Sequence, residues 1–491
     1  MPDDKTAPSV CASASRPAPA AASARTLAIF LSLGAYFAYF SRDALSVRFA
    51  PDDMMNLATY WRMKPLQLLL AQAMPWRPFY RPMGGLVYLA LFRACGLNPA
   101  PYHAVLLVVL FANVCLTYRL ARLLGAGQAV SWLAALAVCY HAGIGNLYYN
   151  TAFIYDSLCC LFYLGAFTYY LAVRRSNRTP GFRDAAIALL LYLCALNSKE
   201  MAVTFPVMAL AYEWLFRRPG LKGPGAWLRP PARVVLPAAV LALIFCYGHI
   251  LRRGGLLEMP AYRPAFTFAR LLDFQARALA DLLMQPRPLD PSDQAVFWVI
   301  LTYLAFRRDR PILQFCWCFF AIAPLPIEFL PGRAGACLAV PVVALAIFAA
   351  VTAIDLSRAV SGFLARERAF SRLGRPSLFV LVVAFAVFVW ARHNADLQTR
   401  YIRSSMHELG QPTWQAIQQF AALHPAVARN ASVVFLNDPF DGFDMEFIAE
   451  LLLRDRTVIV RLQRKFPVSP EEFARAQRVF DYREGRLVQL R

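Results

Sequence analysis

Eleven apolar runs, each closed by a turn or a cluster of charge, divide residues 26 to 391 and restrict what the chain can fold into. They lie near 26–44, 103–122, 128–143, 153–173, 184–197, 201–216, 234–251, 293–306, 311–328, 334–354 and 376–391. A helix needs about 20 apolar residues to cross a bilayer, and most of these runs approach that length. Hydrophobic residues make up 59% of the chain and charged residues 16%, against roughly 45–50% and about 25% in soluble domains. The sequence therefore predicts an all-α polytopic membrane protein with about eleven transmembrane helices.

Basic residues in short loops resist translocation, so they fix which side each connection occupies. The segments richest in Lys and Arg are "YRLARLLG", "RRSNRTPGFR", "RRPGLKGPGAWLRPPAR", "RRDRP" and "SRAVSGFLARERAFSRLGR". With eleven spans and a cytoplasmic N-terminus, all five face the cytoplasm. Counting residues 81–96 as a twelfth span would invert them, so 54–96 reads as interfacial or re-entrant helices inside a first external loop, 45–102. The run after residue 25 reads as a signal anchor, because no small-residue cleavage site follows it. Residues 1–25, rich in Ala, Pro and Ser, cannot bury a core and are expected to be a disordered cytoplasmic tail.

Beyond the last span the pattern changes. "ASVVFLNDPF", "RTVIVRLQR" and "EGRLVQL" read as strands, while 412–424, 443–454 and 469–480 have helical periodicity. Residues 392–491 are thus expected to form a small α/β domain, which span parity places outside the membrane. The transmembrane domain occupies 26–391, with a second large external loop at 252–292.

The net charge of +21 is spread in short clusters between apolar runs, with no basic domain or recognition motif, which argues against nucleic acid. The eleven cysteines mostly sit inside apolar runs and show no zinc or CxxC spacing. Asp438, Asp441 and Asp444 do not have the spacing of a calcium loop and read as a strand-to-helix turn. His103, His141 and His249 lie at span ends without a second metal ligand nearby, and read as hydrogen-bonding groups.

The chemistry is expected at the external ends of the spans. Ionisable side chains at membrane depth are costly and usually mark a pathway or a site. Asp52 and Asp53 follow the first span, Arg81 lies in "YRPM", Lys199 and Glu200 join two apolar runs, and Arg333 lies in "PGRAG". A carboxylate facing several cations suits transfer of a sugar from a lipid phosphate. Phosphate leaves readily and its charge can be held by Arg or Lys, while the acceptor hydroxyl needs a general base. Two opposed carboxylates, as glycosidases use for an alcohol leaving group, are not required.

On these residues the chain resembles the C-type (GT-C) membrane glycosyltransferases, in particular the protein O-mannosyltransferase-like branch that includes TPR-bearing relatives. The acidic pair is Asp52-Asp53, followed by "YRPM" (80–83), by "GLNPAPYH" (96–103) and by "LNSKE" (196–200). A looser match begins at His141, where Asp156 keeps the family spacing but Asn146 replaces the family Glu. The resemblance spans roughly 26–350, and no TPR array follows. It implies an inverting transferase using a polyprenyl-phosphate-linked sugar donor at the external face. Asp52 or Asp53 would be the base, or the ligand of a divalent metal (Mg or Mn) if one is present.

Arg81, Lys199 and Arg333 are then the expected phosphate-binding residues, with Arg252 and Arg253 as looser ones. Tyr80, His103, His141, Asn146, Asp156 and Glu200 complete the expected pocket. The partners implied are the donor, a glycan, lipid or protein acceptor, and membrane lipids. The location implied is a bacterial inner membrane, with the C-terminal domain in the periplasm. Competing readings are a flippase for lipid-linked saccharides and a non-catalytic membrane assembly protein. A flippase would be expected to show internal repeats and broken helices at the midplane, and the sequence shows neither.

Overall fold

A computed structural model describes residues 19–74, 76, 81–176, 178–217, 224–251, 253, 256–307, 309–367, 373–455 and 457–491. The expected tail 1–18 and the site residues Tyr80 and Arg252 lie outside the described residues. The region between the first two long helices follows α1 (Pro19–Ser41) and contains α2 (Pro51–Tyr60), α3 (Pro65–Ala73) and α4 (Pro82–Cys95). The bundle continues through α5 (Pro99–Leu123), α6 (Gln128–Cys139), the single turn α7 (Asn146–Tyr149), α8 (Ile154–Arg175), α9 (Phe182–Leu196), α10 (Phe205–Tyr212) and α11 (Pro224–Phe245). It closes with α12 (Phe268–Leu282), α13 (Pro291–Phe306), α14 (Pro311–Ile322), the turn α15 (Leu325–Glu328), α16 (Pro341–Leu364) and α17 (Arg375–Leu397). Proline opens α2, α3, α4, α5, α13, α14 and α16. At a first helical position its missing N–H costs nothing and its fixed φ suits the helix.

Every one of the eleven expected runs falls on a helix. Seven helical stretches among the described residues are long and apolar enough to cross a bilayer: Ala24–Ser46, Pro99–Leu123, Thr151–Arg175, Pro231–Leu251, Pro311–Glu328, Pro341–Leu364 and Arg375–Ala422. The chain is thus an integral membrane protein built mostly of helices. The other four runs lie on the shorter helices α6, α9, α10 and α13. At 1.5 Å per residue, the 12-residue α6 is only about 18 Å long and does not cross a hydrocarbon core alone. It packs between α5 and α16 instead. Helix α1 starts at Pro19, inside the stretch expected to be disordered through residue 25.

The basic connections gather at one end of the bundle. Arg175 donates to the carbonyls of Arg122 (2.6 Å) and Leu123 (3.4 Å), and Arg233 to that of Pro180 (3.2 Å). Arg310 and Arg358 both pair with Asp355, and together they line a cavity with residues 125–130. Beneath this layer Arg174 makes a two-pronged ion pair with Glu213 (2.6 and 2.8 Å), and Tyr170 donates to the same carboxylate (2.7 Å). The planar guanidinium matches the carboxylate on two parallel bonds, which fixes α8 against the helical turn after α10.

The last span does not stop at the membrane. Helix α17 runs through a wider π-helical turn (Gln398–Ile402) into α18 (Arg403–Ala422), and the helical stretch Arg375–Ala422 is 48 residues long. It leads into β1 (Ser432–Leu436), α19 (Asp444–Leu453), β2 (Ile459–Leu462), α20 (Pro470–Arg475), β3 (Arg478–Arg483) and β4 (Arg486–Gln489). The sheet order is β2-β1-β3-β4, parallel except for the β3/β4 pair. Phe420, Phe435 and Phe480 pack together at its centre. This α/β domain sits on the region that carries α2 to α4. Helix α19 packs against α2, Arg62 pairs with Glu450, Arg48 lies over the Trp414 ring (4.3 Å) and Arg454 over Phe92 (5.5 Å).

Candidate active site

The end of the bundle away from the basic loops holds a connected polar cluster drawn from six segments. It starts at the acidic pair, whose two members have different surroundings. Asp53 is the third residue of α2 and 1% exposed. Its carboxylate accepts from the Ala50 N–H (2.9 Å), the Tyr88 hydroxyl (2.9 Å) and the Thr151 hydroxyl (2.6 Å). Burial pushes its pKa up to about 6 against those three bonds, which favour the charged form. Asp52 is exposed. Its charge reaches Asp444 at the start of α19, whose carboxyl is pushed up by burial and further by Asp52 and Asp438.

From Asp53 the cluster passes through aromatic residues to the cations. Tyr88 and Tyr155 both meet Asn56, the latter donating at 2.8 Å. The Tyr155 ring lies under the Arg81 guanidinium at 5.3 Å, and the Tyr60 hydroxyl donates to the Arg81 carbonyl at 3.4 Å. Two glycines allow this packing. A Cβ on Gly84 would lie 2.1 Å from the Tyr155 ring, and one on Gly85 2.5 Å from Tyr60. Arg81 takes a left-handed φ of 40° immediately before Pro82, a backbone cost of the kind that gathers at functional sites.

The cations differ from a bare positive lining. Arg81 is held by Glu200 through contacts of 3.1, 3.2 and 3.3 Å. Lys199 is buried and donates to Asp156, with Cys337 Sγ at 3.4 Å. Lys199 and Glu200, adjacent in the chain, each pair across the bundle, with Asp156 and Arg81 respectively. Burial raises the Glu200 pKa, but Arg81 and Lys199 outweigh it and hold the carboxyl below its ordinary value. Burial works against the Lys199 charge, and Asp156 overcomes that, leaving the amine above its ordinary value. Arg333 sits over the Tyr262 ring at 4.8 Å and, among the described residues, pairs with no carboxylate. Tyr262 also bonds Arg81 through its hydroxyl (3.2 Å).

The remaining expected residues stand apart or serve the framework. His103 is buried in α5. His141 is buried with Nε2 3.1 Å from the Leu282 carbonyl and its ring edge-on to Trp390. Asn146 is exposed at the start of α7. Arg253 is exposed just past the span ending at Leu251. Asp438 accepts from the Phe440 N–H (3.2 Å) and Asp444 opens α19, as a strand-to-helix turn requires. A divalent metal does not fit Asp53, whose oxygens are committed to three donors. Among the described residues no three His, Cys, Asp or Glu side chains gather to share an ion.

Sequence reasoning missed Asn56, Tyr60, Tyr88, Thr151, Tyr155 and Tyr262. The tyrosines carry no motif of their own, and only the "GG" of "RPMGGL" could signal a close approach.

No family profile matches the sequence, and no curated protein matches it. Among solved structures, the crystal structure of ArnT from Cupriavidus metallidurans bound to undecaprenyl phosphate is similar over 96% of this chain and 98% of that one, at 14% identity and a TM-score of 0.49. That degree of likeness assigns neither a residue nor a reaction to this chain.

Proposed function

We propose that the protein is an inverting glycosyltransferase of the C-type class, moving a sugar from a polyprenyl-phosphate-linked donor to an acceptor hydroxyl at the external membrane face. The observation that carries this reading is the network of contacts, at one end of the bundle, that links Asp53, the neighbour of Asp52 on α2, to segments carrying Arg81, Lys199 and Arg333.

Asp52 is the better base, because Asp53 is enclosed and fully hydrogen-bonded while Asp52 faces solvent. Asn56 lies one helical turn beyond Asp52 and belongs to the cluster, so Asp52 stands at its rim. In the proposed step Asp52 takes the acceptor's proton. The acceptor oxygen bonds the anomeric carbon from the face opposite the phosphate, and the carbon–oxygen bond to phosphate breaks. The polyprenyl phosphate leaves with one more negative charge, met first by Arg333 and then by Arg81. Asp53 fixes the first turn of α2, and Glu200 fixes Arg81. The exposed Asp52 carboxyl returns its proton to water. On this reading the basic end is cytoplasmic and the C-terminal domain lies in the periplasm of a bacterial inner membrane.

Asp52→Asn should lower turnover at least about a hundredfold, the usual contribution of a general base, with donor binding and membrane insertion unchanged. Full turnover in that variant, measured with a radiolabelled polyprenyl-phosphate sugar, would reject the assignment.

A further inference from the structure

Tyr262 meets both cations that the proposed reaction needs, and no sequence motif pointed to it. Its hydroxyl lies 3.2 Å from Arg81 Nη2, and its ring faces the Arg333 guanidinium at 4.8 Å. We infer that Tyr262 is a positioning residue for the donor phosphate, setting Arg333 and Arg81 against each other from one side chain. This rests on the reading of Arg333 as the cation that receives that phosphate.

The backbone around Arg333 supports it. Arg333 lies between Gly332 and Gly335, both at positive φ (65° and 57°), in a short connection that turns at Gly332 and enters a 3-10 helix at Gly335–Leu338. That loop is tied to the segment that carries Tyr262. The Ala265 N–H donates to the Phe329 carbonyl (2.9 Å), Arg270 donates to the Leu330 carbonyl, and the Gly335 N–H donates to Asp281 (2.7 Å). Bonds on both sides of Arg333 thus hold it to the stretch from Tyr262 through α12. The aromatic face then selects the direction of its side chain. A guanidinium is attracted to the face of an aromatic ring, more strongly where water is scarce. On Arg81, Glu200 accepts from Nε and Nη2, and the Tyr262 hydroxyl accepts from the same Nη2, so Tyr262 and Glu200 fix that end of the guanidinium together.

The test uses the full-length protein in lipid nanodiscs, with undecaprenyl phosphate as probe and undecaprenol as the uncharged control. The wild type should prefer the phosphate form at least tenfold, and Arg333→Ala should remove that preference. Tyr262→Leu should weaken phosphate binding about tenfold through loss of the ring face. Tyr262→Phe, which keeps the ring, should lose only about threefold for the missing hydrogen bond. The double variant Tyr262→Leu/Arg333→Ala should bind at most about threefold worse than Arg333→Ala alone, because the ring acts through Arg333 and only the hydroxyl bond to Arg81 is left to lose. A full tenfold further loss in the double variant, or a Tyr262→Leu protein that binds like wild type while Arg333→Ala is weakened, overturns this role and leaves the donor site standing. A wild type that does not distinguish the two lipids overturns both. The conservative Phe variant and an unchanged thermal midpoint guard against misfolding as the cause.

Discussion

Two adjacent aspartates of one helical turn have opposite surroundings, Asp53 buried among three donors and Asp52 exposed. Asp53 is enclosed with its pKa raised to about 6, above the ordinary carboxyl value, so the folded state holds its proton more tightly than the unfolded chain does. Between about pH 4 and 6 folding therefore takes up a proton, and this group's contribution to stability falls as pH rises through that window and stays constant above it. Asp53→Asn removes that titration. Its thermal midpoint relative to wild type should improve from pH 4 to pH 7, and a constant offset across that range would count against the assignment. Asp281 has its pKa raised to about 6 by burial too, with its Gly335 bond working the other way; it is present in both proteins and drops out of the comparison. Nothing in the Asp-Asp dipeptide told the two apart. The distinction comes from Tyr88 and Thr151, which lie far along the chain and reach Asp53 only in the fold.

At the level of elements, α4 shows how a short helix organises the site. Its Gly84 and Gly85 let the Tyr155 and Tyr60 rings lie directly against the backbone. Gly84→Ala should push Tyr155 away and break both its bond to Asn56 and its contact with Arg81, reducing undecaprenyl phosphate binding about tenfold or more; Gly34→Ala, on the first span with ordinary contacts, should not. Unchanged binding in Gly84→Ala would separate the ring packing from the cation's placement. Elements with strong local signals were legible in the sequence, including the long spans, β1, β2, β4, α18 and α19. Residues 469–480 were not: the expected helix stops at Arg475, and Arg478–Arg483 is an inner strand paired with β1 and β4. Local periodicity favoured a helix through "ARAQRVF", and pairing on both sides overrides it. The cation positions were legible for the same reason as the spans, since charges at span ends stand out. Their partners Glu200 and Asp156 were visible as residues, but which carboxylate meets which cation is a property of helix packing.

At the scale of the whole molecule the bundle is polarised. Arginine-rich connections bond one another at one end, while the aspartates, the paired cations and the α/β domain occupy the other. That arrangement makes a topological prediction. In a cysteine-depleted background, a cysteine at position 441 should react with an impermeant maleimide in intact spheroplasts, and one at 366 only after lysis. The reverse pattern would turn the active-site end inward and remove its access to an external acceptor.

The continuous helix Arg375–Ala422 has a mechanical consequence. At 1.5 Å per residue its 48 residues form a strut of about 72 Å, anchored where Gln398 bonds the Phe40 carbonyl and the Tyr149 hydroxyl. The α/β domain is therefore indexed to the bundle like a key on a shaft. Deleting one residue from α18, beyond the π-helical turn, would rotate it by about 100° and carry α19 off its seat against α2.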